Sequence, residues 1–277
     1  SPSPDTVAEH AAAPAEHGEE KKAEAHGEKK SEGGPGGEAK SGGHGEGGNA
    51  TVNKDEELNM LFAKAQTALM DGQIGAGVAT VNEMLALPYI SDDLRETLLY
   101  SLADLTMQLN KDDLSGNFTG VMDAYQTAKN FNPKSAKMPE ALLNIGYLHL
   151  SVGNVPEAKA HFDLMRKKYP NDPRIPLIDY YWGEYFLKRK EYAKAADHFQ
   201  YVVQNSPNSK GFQPSILGLV KCFSELGYYE KAFSMVKAVE EHWPRHYLSD
   251  IEFLITAGYA AMMSGQLVKA KDYFWAY

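Results

Sequence analysis

Nine histidines, one cysteine and several paired carboxylates are the side chains of this 277-residue chain that could ligate a metal, attack a carbonyl or move a proton. Four of the histidines, His10, His17, His26 and His44, lie among glycine and glutamate, a composition found in metal-binding tracts. Their spacings of 7, 9 and 18 residues match no compact ligand set, and gathering them would order a floppy chain at a large entropic cost. The tract therefore reads as solvated linker. His149, His161 and His198 fall inside helical stretches and read as packing or surface residues. Cys222, in LVKCFSELG, stands beside an aromatic in the close-packed part of a helix, where a small buried hydrophobe is expected rather than a nucleophile. Asp92 with Asp93, and Glu240 with Glu241, lie at helix ends, where the first pair favours a helix N-terminus electrostatically. No G-x-S-x-G, H-E-x-x-H, P-loop or G-x-G-x-x-G context accompanies any of them. These residues predict no enzyme, no cofactor and no metal site.

The elements that would have to position such groups begin only after residue 53. Val7 is the only large apolar side chain in residues 1–50, too little to offset the entropy of ordering them. Residues 1–53 are expected to be a disordered Gly/Glu/Lys/His-rich linker, and residues 54–277 a folded all-α domain. The formal net charge is −9, and the linker alone holds ten acidic residues against five lysines. That balance excludes nucleic acid as the expected partner, since binding it requires a basic surface that displaces counterions. One cysteine allows neither an intrachain disulfide nor a cysteine-based metal site, which fits a cytosol without excluding a bacterial periplasm. No run of 18 apolar residues predicts a membrane span. The chain opens SPSPDTVAEHAAAPAEH without a methionine and closes DYFWAY inside an incomplete hairpin, so sequence is expected beyond both ends. A polar Ala/Pro/Glu/Lys tail commonly follows a signal peptide or an N-terminal anchor. The location expected is periplasmic, or membrane-anchored facing the periplasm, with the cytoplasm as the alternative.

The folded part repeats itself. LLNIGYLHLSVGNVPEAKAHF from Leu142, WGEYFLKRKEYAKAADHF from Trp182 and AGYAAMMSGQLVKAKDYF from Ala257 each set a small residue, an aromatic, a turn and A-x-x-x-F at matching offsets. The turns align at Gly72, Gly116, Gly153, Lys190, Gly227 and Gly265, and the last four are 37, 37 and 38 residues apart. Pro170, Pro207 and Pro244 each follow a turn by 17 residues, where proline stops a helix because it has no amide donor and clashes with the preceding turn. Ala158, Ala195, Ala232 and Ala270, with Gly146, Gly183 and Gly258, mark where the helices of a hairpin approach closely. Phe162, Phe199 and Phe274, four residues after their alanines, share that face and reach toward the neighbouring repeat.

This pattern, W-x-x-L-G-x-x-Y, then G-x-Y-x-x-A, F and P, resembles the tetratricopeptide repeat. DYYWGEYFLKRKEYAKAADHFQYVVQNSP and LGLVKCFSELGYYEKAFSMVKAVEEHWP carry it best, and the resemblance extends over roughly 58–277. It implies a right-handed solenoid of about six helical hairpins, with atypical first units, the second having a lengthened turn from Asn110 to Gly116. The long linkers KKYPNDPRIP and QNSPNSKGFQP are similar to those of a bacterial envelope subgroup that includes the Tol-Pal coordination protein and the outer-membrane assembly lipoprotein.

In that family the first helices line the concave face. The positions resembling its inward ones are Glu140, Leu143, Tyr147 and Leu150; Leu177, Tyr180, Glu184 and Leu187; Pro214, Leu217, Lys221 and Ser224; Glu252, Ile255, Tyr259 and Met262. The partner-binding groove implied comprises Leu143, Tyr147, Leu150, Tyr180, Glu184, Leu187, Lys221, Tyr259 and Met262. Its tyrosines and aliphatics suit a protein or peptide segment rather than a small-molecule substrate. They differ from the Lys and Asn with which chaperone-tail receptors of the family clamp a terminal carboxylate. The function expected is a non-enzymatic scaffold docking a partner in a bacterial envelope or surface machine. The alternative is a cytosolic chaperone for secretion or appendage-assembly substrates.

Overall fold

The computed structural model describes residues 53–244, 246 and 250–276. The chain divides into two units, Ser1–Val52 and Asn53–Tyr277. The disordered linker expected at residues 1–53 lies, all of it but Asn53 and its histidine tract included, outside the described residues.

Twelve helices and no strands are found among the described residues. They pair as six hairpins: α1 (Lys54–Met70) with α2 (Ile74–Leu85), α3 (Asp92–Leu109) with α4 (Phe118–Phe131), and α5 (Met138–Ser151) with α6 (Val155–Lys168). The series continues with α7 (Ile175–Lys188) and α8 (Tyr192–Asn205), α9 (Phe212–Glu225) and α10 (Tyr229–His242), and α11 (Ile251–Met263) and α12 (Leu267–Ala276). The all-α repeat solenoid expected from the spacing is the observed architecture.

Local chemistry sets the helix ends. Asn53, Ser91 and Asp250 cap α1, α3 and α11, their side chains accepting from the amides of Asp55, Leu94 and Phe253, which satisfies donors that the helix itself leaves free. The hairpin turns share one design. Gly72, Gly153, Lys190, Gly227 and Gly265 all have positive φ, between 60° and 84°. At the third hairpin the Gly153 amide donates to the Leu150 carbonyl (3.1 Å) and the Asn154 amide to that of His149 (2.9 Å). These two bonds close a Schellman motif, which needs the left-handed conformation that glycine adopts without steric penalty. Lys190 takes the glycine's place at φ 60°, its amide donating to the Leu187 carbonyl and that of Glu191 to the Phe186 carbonyl. Gly116 differs: the longer second loop leaves it outside the left-handed set, and its amide donates to Asp113 Oδ1 at 2.8 Å. Pro170, Pro207 and Pro244 each stand just beyond the last residue of α6, α8 and α10.

The core runs along the array as successive clusters, each shared by adjacent hairpins. Ala158, Ala195 and Ala232 are fully buried, as are Phe162 and Phe199. Phe199 lies between two glycines: a Cβ on Gly183 of its own hairpin would stand 2.5 Å from Cε1, and one on Gly218 of the next would meet Cε2. Phe162 packs edge-on against Trp182 of the following hairpin, with ring centroids 5.9 Å apart. Polar bridges fix the same junctions. The largely buried Asp179 carboxylate accepts from Arg166 (2.8 Å) and lies 3.1 Å from His198 Nδ1. Tyr125 donates to Asp104 at 2.6 Å, and Asn144 to the same oxygen at 3.0 Å. First helices touch one another across repeats, α5 with α7, α7 with α9 and α9 with α11, while second helices approach each other less. The array therefore closes inward along its first helices.

Candidate functional site

Along that inner face the expected groove residues separate according to how the next hairpin crosses them. Six residues before each turn stand Tyr147, Glu184, Lys221 and Tyr259, and all four remain partly or largely open. Three and ten residues before the turn the side chains point to the seam with the following hairpin. Leu143 and Leu150 are accordingly 2% and 3% exposed, packed with Leu142, Phe162 and Ile178. The placement of Leu143 in the groove is corrected, since α7 crosses α5 and covers it; Leu150 is buried in the same cluster but still contributes to the lining of a cavity between α5 and α7. The same seam positions are half-buried in α7, at Tyr180 and Leu187, and open in α11, where Ile255 and Met262 are 45% and 40% exposed. Among the described residues no helix packs beyond the α11–α12 hairpin.

Two cavities open along the centre. One, of about 270 Å³, lies between α7, α9 and α11 and is lined by Tyr180, Glu184, Leu187, Leu217, Lys221 and Glu252. The other, of about 280 Å³, lies between α5 and α7 and is lined by Tyr147, Tyr181, Glu184, Tyr185, Lys188 and Arg189. Glu184 borders both. Tyr147, Tyr180 and Tyr181 form a continuous aromatic ridge, with centroids 4.5 Å apart for Tyr147 with Tyr181 and 5.6 Å for Tyr180 with Tyr181. Tyr181 and Tyr185 were not among the expected site residues; the doubled tyrosine in IDYYW was the signal for the first. Tyr259 and Met262 lie apart from both cavity linings, Tyr259 packing edge-on against Tyr229 at 5.7 Å.

Electrostatics follow from burial. Withdrawal from water pushes the Glu184 carboxyl above the usual range, opposed by the charges of Lys188 and Lys221 and reinforced by Glu252. The Lys221 ammonium donates to Glu252 across the α9–α11 seam and is held more firmly protonated by it. Burial raises Tyr181 to about 12 and Tyr180 further still, with Glu184 adding to the latter. Both phenols are neutral donors at physiological pH. Cys222, behind the groove, is fully buried, and desolvation pushes its thiol to about 12. It is a packed side chain rather than a thiolate. His149 stacks on His161 at 5.3 Å and His198 lies flat against Phe186 at 5.6 Å, both away from the groove linings. The site offers hydrogen-bonding phenols, apolar floor and one enclosed carboxylate, an arrangement suited to binding.

Comparison with known proteins agrees with this geometry. Residues 140–172 and 179–209, which span α5–α6 and α7–α8, match the family described as tetratricopeptide repeat. A stretch of 156 residues is 26% identical to the photosystem I assembly protein Ycf3 of Synechococcus elongatus, over 54% of this chain and 84% of the relative. The structure of PilW, a widely conserved type IV pilus biogenesis factor, is similar with a TM-score of 0.56 and 18% identity, covering 79% of this chain and 90% of that one. That of PilF of Pseudomonas aeruginosa is similar with a TM-score of 0.54 and 15% identity, covering 79% and 89%. At these identities the likenesses speak to the fold, a solenoid of tetratricopeptide hairpins.

Proposed function

We propose that this domain is a non-enzymatic docking scaffold whose first-helix groove holds a segment of another polypeptide, in a bacterial envelope or surface machine. The observation that carries the reading is the Tyr147–Tyr181–Tyr180 ridge, left half-buried beside two open cavities. Aromatic surface of this kind gains most when a partner covers it, and such residues tend to dominate the binding energy of protein contacts. The linkers KKYPNDPRIP and QNSPNSKGFQP support an envelope role, with the domain in the periplasm or anchored facing it. A second reading, an assembly chaperone in the cytoplasm, is favoured by the assembly role stated in the name of the Ycf3 relative.

Site-directed photo-crosslinking in the native host tests the groove. A photoreactive residue at Tyr147 is expected to join a partner polypeptide, and one at the exposed Tyr201 of α8 is not. Adding Tyr180→Ala should reduce the Tyr147 product while circular dichroism stays helical. Equal crosslinking from both positions, or from Tyr201 alone, refutes the groove. Fractionation of the full-length gene product then separates the two readings, envelope for the scaffold and cytoplasm for the chaperone.

A further inference from the structure

Glu184 is out of place in a groove built only for apolar contact. It stands in the C-terminal half of α7 and borders both cavities, whose walls include Tyr147, Tyr180, Tyr181 and Leu187. Among the described residues its carboxylate makes no hydrogen bond and no ion pair. Lys221, across the groove, is committed to Glu252, and Lys188 lies at the exposed rim without pairing to it.

A purely apolar segment laid over this position would strand an unpaired charge away from water or force the carboxylate to take up a proton, and either outcome weakens binding. A cationic side chain does the opposite, because the low local polarity that penalises a lone carboxylate strengthens a pair. The tyrosine faces around Glu184 add attraction for a cation held above them. Resting on the groove reading above, we infer that the partner segment presents a lysine or arginine to Glu184, inserted between the tyrosine ridge and Leu187. The partner is thus a polypeptide with one basic side chain flanked by apolar or aromatic residues.

Panning a phage-displayed library of random dodecapeptides against the immobilised full chain tests this with a defined probe. Peptides are retained for analysis when elution is lost on the Tyr147→Ala/Tyr180→Ala variant. The expected result is enrichment of Lys or Arg at one aligned position, absent when the panning is repeated on Glu184→Gln. For one selected peptide, changing that basic residue to methionine should weaken binding at least about tenfold on the native chain and change it little on Glu184→Gln. Groove-dependent peptides without a basic position, or with the same enrichment on Glu184→Gln, overturn the inference and leave the groove standing. Apolar peptides that bind tighter to the native chain than to Glu184→Gln overturn it as well. A library that yields no groove-dependent peptide counts against both the groove and the cation. Circular dichroism of each variant confirms that its fold is kept.

Discussion

Glu184 is an acid kept where burial opposes its charge, and its titration is the most direct probe of the groove. Its folded value lies above the ordinary one of 4.5, so the folded chain binds that proton more tightly than the unfolded chain does. By linkage, stability falls as pH rises from the unfolded value through the folded one, and the penalty persists at neutral pH. The charged groups acting on it, Lys188, Lys221 and Glu252, reduce or enlarge the effect without removing it. Glu184→Gln is therefore expected to melt at a higher temperature than the native chain at pH 7, with the two converging below pH 4. Thermal melts followed by circular dichroism across that range check the sign. A stability gain from removing a charge is what a binding residue tends to give, since it is held for a partner rather than for the fold. Glu184 and Lys221 were legible as inward positions from the repeat register, but their difference was not. Lys221 finds Glu252 on the next first helix, whereas the equivalent position facing Glu184 on α9 is Pro214, which carries no charge.

At the scale of the helical hairpin, the glycine–phenylalanine contact sets the spacing of the array. Gly183 and Gly218 press on opposite edges of Phe199, a ring with no solvent exposure. Gly218→Ala would drive a methyl group into Cε2 of that ring. It is expected to destabilise the domain by about 1–3 kcal/mol, the usual cost of overpacking a tight core. Gly120, in α4, has nothing within 4 Å of where its Cβ would stand. Gly120→Ala should then stabilise by about 0.5–1 kcal/mol through helix propensity alone. Urea titrations of the two variants give the comparison, and equal effects would mean that the contact does not set the spacing. The A-x-x-x-F signature revealed this packing in advance because small and large residues four apart share a helical face. The second hairpin escaped it, since its loop is longer and the Gly116 amide donates to the Asp113 carboxylate.

Across the whole domain, cohesion comes from neighbour-to-neighbour contacts, as expected of a solenoid in which each repeat supports the next. Interior hairpins have both faces covered, and their phenylalanines Phe162 and Phe199 are fully buried. Among the described residues the α11–α12 hairpin has one, and there Phe274, Val268 and Trp275 are 43%, 77% and 81% exposed. Local opening should therefore be easiest at that hairpin. Hydrogen exchange of the isolated chain is expected to show the slowest amides in α5 to α9 and protection lower by at least about tenfold in α11 and α12. Uniform protection along the array would mean that the domain opens only as one unit. A partner bound in the central groove would raise protection first in α5, α7 and α9, which line the cavities.

The periodic placement of glycine, alanine, phenylalanine and proline determined the helical fold, the hairpin register and the helix ends. Each of these is governed by local chemistry: φ at a turn, the missing proline amide, and close approach at a small side chain. Only the tertiary structure decided which inward positions stay open. Leu143 and Glu184 both belong to first helices and to the same family of inward-facing positions, yet one is sealed under α7 and the other stands between two cavities. That outcome depends on how far the next hairpin slides across each helix, which is set by the summed packing of residues more than thirty positions away, such as Ile178 against Leu142. The exposure of a side chain is a property of its neighbours in space, and no spacing within its own helix encodes it.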